Sequence, residues 1–145
     1  MRILGVDPGS RLLGYGIIEK KGNEFKAITH GTVSLFHKEY KNLAPDETTP
    51  SRLKEIYIEL SKVIQEFKPS AMAVEKVFFA KNAVSALKLG QARGVVLLTG
   101  ALHDLEVYEY SVTEVKSQIT GHGRAEKDQV AKMLQLLLGK QEFAT

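Results

Sequence analysis

The stretch ILGVDPGSRLLGYGII, residues 3–18, decides the fold class. Two apolar segments flank an Asp-Pro-Gly-Ser sequence, and these are residue types that end strands and form turns. The pattern predicts two antiparallel strands joined by a tight turn, with Asp7 at the end of the first strand. Asp7 has two interpretations, a turn-forming side chain bonded to its own backbone or a group that holds a ligand at the edge of a sheet. The local pattern slightly favours the turn.

The composition restricts the class of protein. The chain has 145 residues, 43% apolar and 26% charged, which predicts one globular domain over residues 1–145. The absence of cysteine excludes disulfides and thiolate metal sites and is typical of a reducing, cytoplasmic setting. No apolar run reaches the ~18 residues of a spanning helix and no signal-peptide pattern opens the chain, so we expect no membrane partner. The net charge of +3 permits a nucleic-acid partner without requiring one.

Five segments carry strand patterns. Runs rich in Ile, Val, Leu and Phe at 2–7, 13–19 and about 25–36 predict three strands linked by short turns. Residues 37–50 are polar and lack periodicity, which predicts a surface loop. Two further strands are expected, at AMAVEK, where the strand ends at Glu75, and at LEVYEY, residues 105–110.

Amphipathic helices alternate with the later strands. Thr49 and Pro50 are predicted to be the N-cap and first residue of a helix that stops before residue 69. Another helix is expected over about 82–102, a third after the capping box of Ser111 and Glu114, and a last one from about residue 125. The order predicts an α/β fold with a mixed five-stranded sheet, three strands antiparallel and the later ones parallel to the first, flanked by helices.

Two acidic residues fall at predicted strand ends. If the strands ending at Asp7 and Glu75 run parallel, both carboxylates lie at one edge of the sheet, where ligands of open α/β sheets bind. Carboxylates meeting there repel unless a cation lies between them, and oxygen donors without Cys favour Mg²⁺ or Mn²⁺. Two such ions about 4 Å apart can activate water and stabilise the leaving oxygen of a phosphodiester. The alternative for Glu75 is a structural partner, because a Glu in this apolar strand suits a core poorly.

Aromatic and basic residues give weaker signals for a nucleic acid. An exposed Phe in EKVFFAKN could stack on or wedge between bases, and partial burial of both Phe residues is the commoner outcome. Arg124 and Lys127 follow Gly-His-Gly near a predicted helix start, a place suited to a phosphate. An ordinary solvated face is the alternative for both, and Lys116 could join them or simply be exposed.

The predicted helix over 82–102 contains the small residues Gly90, Ala92 and Gly94. They permit close approach of another element. Packing within the monomer is the default interpretation, and a helix-to-helix dimer contact is the alternative.

Three motifs resemble a known family. GVDPGSRLLGYG, VEKVFFAKNAVSALKLGQARGV and GHGRAEKDQV are similar, in order and spacing, to the bacterial Holliday-junction resolvases of the RuvC family. The resemblance runs nearly end to end. It implies an RNase H-like fold and a homodimer that cuts four-way DNA junctions with Mg²⁺ or Mn²⁺, two ions per site in the complete protein, and works with a branch-migration motor.

The resemblance also implies roles for individual residues. Asp7 and Glu75 match metal-binding catalytic carboxylates, and Lys116 and Lys127 match basic residues of DNA contact and catalysis. Phe78 matches an aromatic that acts on bases near the crossover. Further DNA contacts are expected in the matched motifs, from Lys81, Asn82 and Arg124.

One departure from the family pattern gives a separate expectation. The family carries a second pair of metal ligands on a C-terminal helix, in a pattern like Asp-x-x-Asp, and the sequence ends at LLLGKQEFAT without it. Neither Asp128 nor Glu142 matches those positions. We expect the 145-residue chain to bind metal weakly and cleave poorly while still binding junctions.

Two other classes of function stay open at the level of the sequence. A nucleotide-binding domain of the actin and sugar-kinase type also has a first strand ending in an acid and a Gly-containing turn. That class would need a second phosphate loop, which the sequence lacks. A junction-binding core without cleavage activity is the other alternative.

Overall fold

A computed structural model describes residues 1–76 and 82–138. The strands are β1 (Arg2–Asp7), β2 (Leu12–Lys21), β3 (Glu24–Ser34), β4 (Ala71–Lys76) and β5 (Glu106–Ser111). The helices are α1 (Pro45–Phe67), α2 (Ala83–Leu102), α3 (Val112–Thr120) and α4 (Lys127–Leu138). The sheet order is β3-β2-β1-β4-β5, antiparallel from β3 to β1 and parallel from β1 to β5. The predicted mixed five-stranded sheet is therefore confirmed.

One face of the sheet builds the hydrophobic core. Alternation along β1 points Leu4 and Val6 to this face, and both are buried. Helices α1 and α2 cover them with residues such as Ile56, Leu60 and Val96, each at most 1% exposed. The apolar side of α1 is therefore packed on the sheet, as expected of an amphipathic helix.

The other face of the sheet has small side chains at its centre. Gly5 of β1 lies opposite Gly16 of β2 and Ala73 of β4 in the ladder. Helices α3 and α4 stand over this face and leave a groove of about 620 Å³ between themselves and the sheet. The groove ends at the carboxyl ends of β1 and β4.

Helix α1 begins earlier than its sequence predicts. It starts at Pro45, so Thr49 and Pro50 lie inside the helix and are not its N-cap and first residue. The Glu47 carboxylate accepts a hydrogen bond from the Ala44 N–H at 2.8 Å, which satisfies one of the donors at the helix start. Two acids in the first turn also suit the helix dipole.

The predicted loop 37–50 is correspondingly shorter. It contains a 3₁₀ turn, Lys38–Tyr40, before α1 begins. His37 Nε2 lies 2.7 Å from the Glu55 carboxylate and so links the loop to α1.

The starts of the next two helices follow their predictions. The Asn82 side chain caps α2 by accepting from the Ser85 N–H at 2.9 Å. The Ser111–Glu114 capping box of α3 is confirmed, with both reciprocal bonds present. Within residues 1–76 and 82–138, none of the helices has both the length and the apolar character needed to cross a membrane.

Candidate active site

Asp7 and Glu75 meet at one edge of the sheet. In the parallel β1–β4 ladder Val6 pairs with Val74, so the next residue of each strand brings its carboxylate to the same place. Asp7 ends β1, while Glu75 is followed by one more strand residue, Lys76. The two carboxyl groups lie close enough to act on each other's charge, and Asp7 is exposed while Glu75 is half-buried. The juxtaposition that the parallel strands predicted is present.

The surroundings of Glu75 disfavour its charge. Burial, followed by the charge of Asp7 and the hydrogen bond to it, raises the pKa of Glu75 from 4.5 to about 7. The Lys116 ammonium opposes this rise. In the absence of a cation Glu75 is therefore partly protonated near neutral pH, and a divalent cation bound between the two carboxyl groups would replace that proton.

Lys116 and Lys127 line the same groove as the carboxylates. Lys116 lies on α3 and is half-buried, close enough to Glu75 to act on its charge. Lys127 is the exposed first residue of α4. The groove is therefore lined by four of the residues singled out from the sequence, Asp7, Glu75, Lys116 and Lys127.

The other predicted DNA-contact residues lie outside this groove or outside the described residues. Arg124 is exposed in the segment between α3 and α4. Asn82 uses its side-chain oxygen to cap α2. Phe78 and Lys81 fall in residues 77–81, which are not among the described residues, so their roles stay predictions.

The turn after Asp7 is narrow. A Cβ at Gly9 would collide with the Leu12 carbonyl oxygen, so only glycine, which has no side chain, fits this position of the turn. Pro8 is buried beside it. The turn that the Asp-Pro-Gly pattern predicted is thus present, and it ends β1 at Asp7.

Two neighbours of the site escaped the sequence analysis. Tyr110 of β5 pairs with Glu75 in the ladder and lines the groove, and Arg52 of α1 donates to the Ser10 carbonyl of the turn. The alternation in LEVYEY offered a signal for Tyr110, but it does not fix a register. No local pattern distinguishes Arg52 from other charged residues of an amphipathic helix.

The described ranges contain no group of three or more His, Cys, Asp or Glu side chains that could hold a metal ion. Among the described residues that line the groove, the carboxylates are those of Asp7 and Glu75. Their oxygen donors fit a hard divalent cation such as Mg²⁺ or Mn²⁺, because such ions take carboxylates and complete their shells with water or phosphate.

A mixed sheet of this order, flanked by helices, is that of the RNase H-like fold, and this chain is a protein of that fold class. Residues 3–144 match the family described as crossover junction endodeoxyribonuclease RuvC. The chain belongs to the RuvC family.

Curated relatives agree with that assignment. Crossover junction endodeoxyribonuclease RuvC of Geobacter sulfurreducens is 48% identical over 145 residues, covering 99% of this chain and 83% of the relative. The protein of the same name from Alkaliphilus metalliredigens is 44% identical over 142 residues, covering 98% and 82%. The enzyme is therefore an endonuclease that resolves Holliday junctions, as the resemblance implied.

Solved structures agree as well. Thermus thermophilus RuvC in complex with a Holliday junction substrate superposes with a TM-score of 0.83 at 32% identity, over 98% of this chain and 82% of that one. The yeast mitochondrial Holliday junction resolvase Ydc2 has a TM-score of 0.65 at 13% identity, covering 91% and 60%, and shows the fold alone. The nucleotide-binding alternative is not better supported by these comparisons.

Proposed function

We propose that Asp7 and Glu75 hold the Mg²⁺ or Mn²⁺ ions at which the enzyme hydrolyses phosphodiesters of a four-way DNA junction. The observation that carries this proposal is the meeting of the two carboxyl groups in one groove at the carboxyl ends of the parallel strands β1 and β4. The family assignment supports a metal-dependent reaction, and we propose two ions per site in the complete protein.

The carboxylate pair suits a cation better than a proton. Half-burial makes two neighbouring negative charges costly, and this cost is what raises the pKa of Glu75. A divalent cation compensates both charges at once, so it converts an unfavourable pair into a ligand set. When bound, the ions supply an activated water and stabilise charge on the departing 3′ oxygen.

The lysines complete the electrostatics of the site. Lys116 and Lys127, on α3 and α4, line the same groove as the carboxylates on the sheet, so a phosphate bound at Asp7 and Glu75 would have cationic side chains in the same groove. We assign both lysines to the non-bridging phosphate oxygens, where their charge is most useful as negative charge develops. In-line attack of water on phosphorus then leaves a 5′ phosphate.

Junction binding extends beyond the cleavage site. Arg124 is exposed next to α4, whose N-terminal N–H groups suit a phosphate, and we propose that it contacts the DNA backbone. Phe78, Lys81 and Asn82 precede or begin α2 and are proposed as contacts near the crossover, on the strength of the family motif alone. Most of the affinity should come from phosphate contacts.

We also propose that the enzyme acts as a homodimer through α2. The exposed side of α2 carries a line of apolar residues interrupted by two glycines: Val84, Leu87, Gly90, Gly94, Leu98 and Leu102. Leu87 is 68% exposed and Leu98 55%, which is unusual for a helix whose other side is already in the core. The glycines have nothing within 4 Å of an added Cβ, so they leave room for a second helix.

Two further implications of the family, a branch-migration motor as partner and a location in the cytoplasm, stay proposals that rest on the family alone.

The site assignment is tested with Asp7→Asn. Because Asp7 is exposed and isosteric with Asn, the variant should fold. We expect loss of junction cleavage in Mg²⁺ or Mn²⁺ with unchanged junction affinity in EDTA, since the phosphate contacts are retained. The relatives extend beyond the matched stretch, so the assay uses both the 145-residue chain and a version of the relatives' length.

Asp104→Asn is the matched control. Asp104 is exposed beyond the end of α2, next to the start of β5 and therefore at the opposite edge of the sheet, and its positive φ of 58° is one that Asn tolerates. It should cleave normally. Near-normal turnover by Asp7→Asn would refute the assignment, and binding without cleavage by the wild type at both lengths would favour the junction-binding alternative.

The dimer is tested by sedimentation with Leu98→Glu. A charge at this exposed position should not disturb the monomer core but should separate the subunits. A wild type that is monomeric at assay concentrations, or a variant that stays dimeric, would contradict the α2 interface.

A further inference from the structure

Arg52 of α1 reaches across the molecule to the turn that follows Asp7. One of its terminal nitrogens donates to the Ser10 carbonyl oxygen at 3.1 Å, and the other donates to Thr49 Oγ1 at 3.3 Å. The bond to Ser10 joins residues far apart in the chain, whereas the bond to Thr49 lies within α1. The guanidinium is thus held by its own helix and directed at the turn.

The position of this turn determines where Asp7 points. Only Pro8 and Gly9 separate Asp7 from Ser10, and the turn is too narrow to accept a side chain at Gly9. The far side of the turn is held by the Leu35 N–H, which donates to the Arg11 carbonyl at 2.8 Å. Arg52 therefore holds one side of a turn whose other side is bonded to Leu35, the residue that follows β3.

An arginine is a costly choice for this position. Arg52 is half-buried, and its Nε is shielded from solvent. An aliphatic side chain would pack between α1 and α2 without the cost of removing a charge from water. The planar guanidinium supplies fixed directions for its donors, which a lysine or an aliphatic side chain does not. The benefit of an arginine here is therefore that it fixes the position of the Ser10 carbonyl and so the conformation of the turn.

Arg2 provides an internal comparison. Its guanidinium donates to the Phe67 carbonyl oxygen at 2.9 Å and so joins the start of β1 to the end of α1. Arg2 and Arg52 therefore attach the same helix to opposite ends of the same strand. Only Arg52 is at the end that carries the carboxylate.

We propose that Arg52 is a positioning residue for the metal site, acting by fixing the Pro8–Ser10 turn and through it the Asp7 carboxylate. This inference rests on the proposed role of Asp7 as a metal ligand. Groups that orient a metal ligand from behind commonly change metal affinity by about 10–100-fold when they are removed.

The experiment compares Arg52→Lys with Arg2→Lys. Both variants keep the charge and the aliphatic stem and lose the planar donors. We measure Mn²⁺ affinity by calorimetry, junction affinity in EDTA and thermal stability. For Arg52→Lys we expect Mn²⁺ affinity to fall by about tenfold or more, with junction affinity unchanged. For Arg2→Lys we expect some loss of thermal stability and an unchanged Mn²⁺ affinity.

Chemical rescue adds a readout that general destabilisation would not give. Added methylguanidinium should restore part of the Mn²⁺ affinity of Arg52→Ala and should leave Arg2→Ala unchanged. If Arg52→Ala does not fold, the comparison of the two lysine variants decides alone. Equal Mn²⁺ affinity for Arg52→Lys and wild type, or equal losses in Arg52→Lys and Arg2→Lys, would overturn the inference.

Asp7→Asn, measured in parallel, separates this inference from the site assignment. If Asp7→Asn lowers Mn²⁺ affinity and Arg52→Lys does not, Arg52 has no positioning role and the site stands. If Asp7→Asn leaves Mn²⁺ affinity unchanged, the assignment of Asp7 fails first and the inference about Arg52 fails with it.

Discussion

Replacing Asp7 with Asn should stabilise the metal-free enzyme at neutral and higher pH. The pKa of Glu75 is raised from 4.5 to about 7, by burial first and by Asp7 second. A group whose pKa is raised on folding contributes stability below its unfolded pKa and loses it as the pH rises through the folded value. The metal-free wild type should therefore lose stability from this pair between about pH 4.5 and pH 7. Asn removes the charge that opposes ionisation of Glu75.

The magnitude follows from the size of the shift. One pKa unit corresponds to about 1.4 kcal/mol, so the whole shift has a ceiling of about 3.5 kcal/mol. Burial accounts for the largest part, and Glu75 is only partly buried, so solvent screening reduces the share of Asp7 to roughly 1 kcal/mol. For a chain of this size that is a rise in Tm of about 2–4 °C.

The assay is thermal unfolding in EDTA at about pH 5 and pH 8, repeated with Mn²⁺. We expect Asp7→Asn to exceed wild type at the higher pH and to match it at the lower pH, where Glu75 is protonated in both. Mn²⁺ should raise the Tm of wild type, since a ligand of the folded state stabilises it, and should raise that of the variant far less. Asp104→Asn is expected to follow wild type throughout. A variant that is less stable than wild type at pH 8, or one that keeps the full response to Mn²⁺, would refute the account of the carboxylate pair.

Three further changes test the fold and the DNA interface. Leu60→Ala should lower the free energy of unfolding by about 2–5 kcal/mol in urea titrations, because it empties a fully buried position of α1 against the sheet; a cost below that of an exposed substitution would contradict the placement of the core. Ser111→Ala should cost about 1 kcal/mol through loss of the bond that Glu114 N–H donates at 3.0 Å, again by urea titration, whereas Ser51→Ala on the exposed side of α1 should cost little. Lys127→Ala should reduce the slope of log affinity against log salt for junction DNA by about one, as measured by fluorescence anisotropy, and an unchanged slope would remove Lys127 from the phosphate contacts.

The mixed five-stranded sheet, with its later strands parallel to the first, could be predicted from the sequence because the strand patterns, the turns and the alternation with helices all indicate the same fold class. The apolar alternation of β1 and β2, the turn at Pro8 and Gly9 and the alternation of later strands with helices allow few topologies. Once β1 and β4 are parallel, Asp7 and Glu75 must approach each other. The approach of the two acids was therefore a consequence of topology and did not require knowledge of side-chain contacts.

The features that the sequence did not reveal depend on contacts between distant segments. Helix α1 begins at Pro45, and not at the predicted Thr49–Pro50, because Glu47 accepts a hydrogen bond from the Ala44 N–H and so stabilises the earlier start. The role of Arg52 depends on a carbonyl of a remote turn. In both cases the deciding partner is a backbone group, and backbone groups are the same at every position of a sequence.

The two candidate ligands lie on strands separated along the chain by β2, β3 and α1. In a growing or unfolded polypeptide Asp7 and Glu75 are consequently separate and do not form a common site. If both acids are ligands as proposed, a complete site requires β4 to lie beside β1 at the centre of the sheet. On the proposed assignment, nuclease activity would therefore depend on completed folding of the sheet, and an incomplete chain would have no metal site.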